Sequence, residues 1–317
     1  MDSERLFLYR IMDRWKQKSF FMYYENLGVT AMENIRRKPG SRQMKQNCHG
    51  AVEYLTFPLL EETGLVRHLF STRTGGASGG FFSSMNLSYT RGDDKAAVDE
   101  NFRRIAEVLG CRPEEMVCSD QTHTTNVRVV DEKDGGKGIV FPKDYTDIDG
   151  LITDIPGIVL ATFYADCVPL FFIDTKRKAV GLSHSGWRGT AGRMGLCTLE
   201  AMRRAYGTRP EDVTAAIGPS ICQDCYEVSE DVAEAFRKEF GRPGQEREIL
   251  RDKGDGKYQL DLWKANRIVL EEAGVPGDKI QVTDICTCCN PSYLFSHRAS
   301  GGKRGNLGAF LGLLPAN

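Results

Sequence analysis

Gly157-Ile158-Val159-Leu160-Ala161-Thr162-Phe163-Tyr164-Ala165-Asp166-Cys167-Val168-Pro169-Leu170-Phe171-Phe172 is the stretch on which the reading of this chain turns. It is almost continuously apolar, as a strand buried on both faces must be. Only Asp166-Cys167 interrupts it with ionisable side chains, which are costly in such surroundings unless they are paired or put to use. Seventeen residues after Cys167 comes His184-Ser185-Gly186-Trp187-Arg188-Gly189-Thr190. It lies between a predicted strand at 178–183 and a predicted helix at 192–206, so the Gly-Trp-Arg-Gly turn falls at a strand-to-helix junction. Backbone amides and Arg188 at such a junction suit an anion. Upstream, His123 closes Asp120-Gln121-Thr122-His123. Two imidazoles and one thiolate from three segments are the donor set of an open zinc site, whose fourth position is free for water, phosphate or substrate oxygen. Copper(I) is the second choice on ligand softness.

Outside this block, short apolar runs alternate with glycine-rich turns. Residues 65–70 read as a strand running into Ser71-Thr72-Arg73-Thr74-Gly75-Gly76, and Gly75-Gly76 and Gly79-Gly80 read as turn makers. Helical spacing predicts helices over 96–109, stopped by Gly110, and over 229–240 and 262–273; strands are expected at 126–130, 213–217 and 279–282. The fold class is mixed α/β: a single compact domain with a central mixed sheet flanked by helices, and no internal repeat.

The chain has 317 residues, 41% of them apolar, and a net charge of −1. This balance, without a basic stripe, argues against a nucleic-acid partner. No stretch approaches the roughly 20 apolar residues of a membrane span, and the N-terminus lacks a signal-peptide block, so the cytoplasm is the expected location. Residues 1–46 carry ten Lys or Arg against five Asp or Glu. They read as an N-terminal extension, either a docking helix bearing Phe7, Ile11 and Trp15 or a tail, ahead of a catalytic domain at 47–317. Ten cysteines in a chain of this length are expected to be reduced thiols. Cys222-Gln223-Asp224-Cys225 and Cys286-Thr287-Cys288-Cys289 offer five thiols that either share a structural zinc or stay free; 60 residues separate the patches with nothing to fix their approach, so they are read as buried or reactive thiols.

From Leu65 to Leu314 the chain resembles the peptidoglycan editing factor family, also labelled the multicopper polyphenol oxidase or laccase-domain family. The matching pieces include Phe70-Ser71-Thr72-Arg73-Thr74-Gly75-Gly76, Asn86-Leu87, Gln121-Thr122-His123, Ala165-Asp166-Cys167, the His184 to Thr190 turn, Ile217-Gly218-Pro219-Ser220-Ile221, Tyr226-Glu227-Val228 and Phe295-Ser296-His297-Arg298. The resemblance implies zinc held at His123, Cys167 and His184. It also implies phosphorolysis of adenosine, inosine, guanosine and methylthioadenosine, with adenosine deamination; a role in cell-wall precursor editing is a separate family attribution. The chain departs from the family in having His297 where a Tyr is usual, and in its closing Gly301-Gly302-Lys303-Arg304-Gly305-Asn306.

Around these expectations the side chains fall into roles. Asp166 is either an acid or base beside the metal or an anchor for its own loop. Arg73 and Arg188 either grip phosphate or fix loops, with Arg298 a third. Trp187 either stacks a purine or covers core; Asn86 and Gln121 belong with the substrate contacts. The alternatives are a hydrolase using Cys167 as nucleophile with a histidine base, which would edit an amide bond, and a copper polyphenol oxidase. Five histidines are few for several coppers.

Overall fold

The computed structural model describes residues 34–39, 42–242 and 244–315. The expected helix bearing Phe7, Ile11 and Trp15 lies outside the described residues. One compact unit begins at Ile35, so the last part of the 1–46 segment packs with the body: Ile35 and Met44 are buried, and Asp284 accepts from Arg37 Nη1 at 2.6 Å and from the Met44 amide at 3.1 Å.

Two six-stranded sheets and a three-stranded one carry the fold. The first runs in the order β1 (Lys45–His49), β2 (Val52–Thr56), β3 (Val66–Ser71), β15 (Leu307–Leu313), β7 (Val159–Tyr164), β4 (Met116–Cys118). Its strands pair antiparallel except β4 with β7. The second runs β14 (Ile280–Val282), β10 (Val213–Ile217), β8 (Val168–Asp174), β9 (Ala179–Ser185), β6 (Gly150–Thr153), β5 (Val127–Val129), and is parallel only in its two edge pairs. The small sheet is β11 (Glu227–Ser229), β13 (Lys257–Leu260), β12 (Leu250–Gly254).

The two large sheets face each other across a core of Phe70, Leu160, Tyr164 and Leu311 from one side and Phe171, Ile173 and Leu182 from the other. Helix α1 (Lys95–Leu109) covers the outer face of the first sheet, setting Val98, Phe102 and Ile105 against Leu69, Val159, Ala161 and Phe310. Its start is capped by the Asp94 carboxylate, which accepts the Ala96 amide at 3.2 Å, and its stop is Gly110 at φ 61°, where glycine adopts the left-handed backbone at little cost. After the short α2 (Trp187–Ala191), helices α3 (Met194–Tyr206), α4 (Glu230–Glu239) and α5 (Leu262–Glu272) cover the outer face of the second sheet over Val168, Leu170 and Phe172.

The class is mixed α and β in one compact domain. The expected central sheet, however, is two sheets between helical layers. The apolar block 157–172 is not one interrupted strand: β7 ends at Tyr164, the chain turns through Asp166 at φ 91°, and β8 begins in the opposite sheet. Both strands have helices on one face and a sheet on the other, so alternate side chains are equally apolar and periodicity leaves the crossing invisible. Truncating Phe171, fully buried between the sheets, would cost about 3–5 kcal/mol.

Candidate functional site

Two crossings between the large sheets meet at one point. His123 lies in the loop from β4 to β5, Cys167 in the turn from β7 to β8, and His184 on β9, where it pairs across from Pro169. Antiparallel pairing of β8 with β9 thereby brings the Cys167 and His184 motifs together. One ligand atom from each of His123, Cys167 and His184 lies within 4.8 Å of the others. A zinc ion with bonds of about 2.0–2.3 Å to nitrogen and sulfur draws such donors into a tetrahedral face with little movement.

Asp149, fully buried, holds two of the three candidate ligands in place. Its Oδ1 lies 2.8 Å from His184 Nδ1, which leaves Nε2 as the nitrogen available to a metal. The same carboxylate accepts three successive backbone amides, from Thr122 at 3.0 Å, His123 at 3.1 Å and Thr124 at 2.9 Å. These bonds hold His123 at φ 68°, a left-handed conformation costing on the order of 1–3 kcal/mol for a non-glycine residue.

The electrostatics follow from this arrangement. Burial alone would raise the Asp149 carboxyl, but hydrogen bonds from His184, Thr124 and Thr122 bring it down to about 2. Burial likewise opposes a thiolate at Cys167; the charge of His184 and hydrogen bonds from both imidazoles outweigh it and bring the thiol down to about 6. Burial would lower His184, yet Cys167 and Asp149 together raise it to about 9. The site favours the ionised sulfur that a metal needs, and metal uptake would release the imidazolium proton.

Gly186 leaves little room for a side chain. A Cβ there would stand 3.0 Å from His123 Cδ2 and 3.1 Å from Cys167 Sγ, so glycine is favoured by close approach and not by backbone angle.

His123, Cys167 and His184 line a cavity of about 420 Å³, together with Gln121, Phe163, Tyr89, Arg91 and Arg304. Arg304 donates to Asn306 Oδ1, while its Nε is buried and unpartnered among the described residues. Burial, then the charge of Arg91, pushes the Arg304 guanidinium down to about 10. Two guanidinium groups beside a candidate metal site are suited to a phosphate.

The other expected site residues stand elsewhere. Of them only Gln121 lines this cavity, and its amide pairs with the Phe163 backbone in both directions, each at 2.7 Å. Asp166 spends one carboxylate oxygen on the Thr287 hydroxyl and the other on the Arg298 amide, both at 2.7 Å, which is the anchoring arrangement. Arg73 donates to the carbonyls of Ser83 at 2.8 Å and Pro291 at 2.7 Å, and Arg298 to those of Cys225 at 3.2 Å and Glu227 at 2.9 Å. Arg188 lies 4.2 Å over the Trp187 ring, which itself packs on the core beneath α3 and α5. Asn86 is buried and bonded to Ser88, Asp93 and the Asn306 amide. Asp149, Arg91 and Arg304 were not singled out from sequence. Asp149 lies 35 residues from His184 and carries no local signal, whereas the glycines flanking Lys303-Arg304 mark a close-approach loop.

A family model for the multi-copper polyphenol oxidoreductase laccase family matches residues 67–314. The chain is 39% identical over 243 residues to the purine nucleoside phosphorylase YlmD of Geobacillus stearothermophilus, covering 76% of this chain and 88% of that one. It is 37% identical over 238 residues to the adenosine deaminase RL5 of an unknown prokaryotic organism, covering 74% and 90%. The crystal structure of YlmD from Geobacillus stearothermophilus superimposes with a TM-score of 0.78 at 35% identity, over 86% of this chain and 98% of that one. With a match of this length on both sequence and fold, the chain belongs to the multi-copper polyphenol oxidoreductase laccase family.

Proposed function

We propose that this chain is a zinc-dependent purine nucleoside phosphorylase that also deaminates adenosine. The observation that carries the reading is the convergence of His123, Cys167 and His184 in the lining of a cavity of about 420 Å³ that Arg91 and Arg304 also line. The donor set fits zinc: a thiolate, two imidazoles, one tautomer set by Asp149, and a fourth side open to the cavity. Copper in several centres is disfavoured, because His68 is buried with Nε2 occupied by the Phe57 amide at 2.9 Å, leaving few imidazoles to spare.

When bound, zinc supplies a Lewis acid at the open position. The remaining work falls to the chain. Arg91 and Arg304 hold phosphate and orient one oxygen toward the anomeric carbon, so that it attacks as the bond to the base breaks and the ribose passes through an oxocarbenium-like state. Phe163 and Tyr89 give the base an apolar wall. Asp149 keeps His184 oriented; Asp166, bonded to Thr287 and the Arg298 amide, fixes the turn before Cys167, and Arg73 ties the segments at Ser83 and Pro291. In deamination the same cavity presents the purine carbon bearing the amino group to water, with no call on the arginine pair. Adenosine, inosine, guanosine and methylthioadenosine are the proposed substrates. Ten unpaired cysteines support a reducing, cytoplasmic setting; among the described residues no helix is long and apolar enough to cross a membrane.

The test is chromatographic analysis of purified protein with adenosine and with inosine, with and without phosphate, beside a His123→Ala control. Free base and ribose 1-phosphate formed only with phosphate, lost on chelation and restored by zinc, is the expected result. Turnover that survives chelation would transfer the role to Cys167 as a nucleophile, and no turnover by zinc-loaded protein would sink the nucleoside reading.

A further inference from the structure

A second group of thiols lies outside the cavity. Strands β10 and β14 are parallel neighbours, so the segments that follow them leave the sheet at the same end. Ser220 bridges Cys286 in parallel fashion, and the Thr287 amide donates to the Ser220 carbonyl at 3.1 Å. This pairing joins the two patches that the sequence leaves 60 residues apart. Four of the five thiols, those of Cys222, Cys225, Cys286 and Cys289, converge with their Sγ atoms within 4.8 Å of one another.

We propose that these four cysteines bind one structural zinc ion, distinct from the cavity metal. Each pair has the Cys-x-x-Cys spacing that lets one turn present two sulfurs to a single ion. The Sγ atoms of Cys225 and Cys289 are 3.5 Å apart and those of Cys222 and Cys289 3.9 Å. A tetrahedron with Zn–S bonds of about 2.3 Å has edges near 3.8 Å, whereas a disulfide needs about 2.05 Å. A [4Fe–4S] cube would spread its thiolates over separate irons, farther apart than this.

The surroundings are those of a thiolate cage. Cys286 Sγ accepts two backbone amides, from Cys222 at 3.2 Å and Cys289 at 3.4 Å, the donors that a metal-bound thiolate would keep. Four thiolates and a divalent ion leave a net charge of −2. Lys38, which donates to Asp224 within the first pair at 3.0 Å, lies within electrostatic reach of Cys222 and Cys289. All four positions are filled by protein, which makes the ion structural and not catalytic. Its placement also bears on the cavity: Thr287, inside the second pair, holds Asp166, the residue before Cys167. Uptake exchanges up to four thiol protons for the ion and needs no redox partner.

The experiment is elemental analysis of full-length protein purified under reducing conditions. Two zinc ions per chain are expected in the wild type and one in the His123→Ala/His184→Ala protein, the latter released by titration with an organic mercurial. In an otherwise wild-type chain, Cys222→Ser should lose one zinc while Cys288→Ser keeps both. If Cys222→Ser fails to fold, the zinc count of the double histidine variant decides alone. A zinc-free double histidine variant, one equivalent of iron in place of zinc, or a disulfide joining the two patches by mass would overturn the assignment. Failure of nucleoside turnover would leave it untouched, since it does not depend on that reading.

Discussion

The carboxylate of Asp149 accepts from His184 Nδ1 at 2.8 Å while also gathering the amide of His123 at 3.1 Å, so a single buried side chain aims two ligands at one point. Replacing it with alanine should therefore weaken the site twice, once through ring orientation and once through the left-handed loop. We expect Asp149→Ala to lower zinc affinity by about 10–100-fold, read by competition with a chromophoric chelator. An affinity within twofold of wild type would show that the carboxylate has no such role.

Gly186→Ala tests the close approach. A methyl group 3.0–3.1 Å from His123 and Cys167 must push one of them aside slightly, a cost of about 1–3 kcal/mol, or about 5- to 150-fold in metal affinity. Zinc content and turnover should fall together, while thermal unfolding measured in chelator stays near that of the parent. The latter comparison separates a damaged site from a damaged fold.

The arginine pair separates the two proposed reactions. Losing a charge-assisted phosphate contact costs about 1.5–3 kcal/mol, so Arg304→Ala should raise the phosphate KM by about 10–150-fold. Adenosine deamination, which needs no phosphate, should change little, and Arg304→Lys should recover only part of the loss because a point charge lacks the guanidinium fork. Equal damage to both reactions would place Arg304 on the nucleoside instead.

His68 sets an acid limit on stability. It lies 6.2 Å from the Phe57 ring and 6.3 Å from that of Phe171, and burial pushes its imidazole down from 6.5 to about 4. The unfolded chain binds the proton at the ordinary value and the folded chain only near 4, so stability is full above pH 6.5 and declines toward pH 4. At about 1.4 kcal/mol per unit the full loss is about 3 kcal/mol. Urea unfolding in chelator at pH 7.5 and at about pH 5 should show a steeper decline in the wild type than in His68→Gln.

The three residues that the structure brings together were legible because such donors are chemically rare and sit in local motifs: His123, Cys167 and His184 stand out in one reading of the chain. The residues that orient them did not stand out. Asp149 is an ordinary aspartate ahead of a short strand, and only the pairing of β6 with β9 carries it to His184. The doubled sheet was hidden for a related reason, since β7 and β8 are apolar on both faces and the hydrophobic pattern is the same whether they share a sheet or not. The two cysteine pairs were legible as motifs but not as neighbours, because parallel pairing of β10 with β14 is a long-range event.

His123 and Cys167 occupy two of the four places where the chain passes from one large sheet to the other, with His184 on β9 of the second sheet. An ion held by all three would act as a rivet through the seam, so that sliding one layer past its neighbour strips the coordination before it disturbs either sheet internally. A fragment carrying one sheet alone would own too few donors to close the site. Occupancy would then report that both halves of the sandwich are seated, and catalysis would be confined to molecules that have finished assembling.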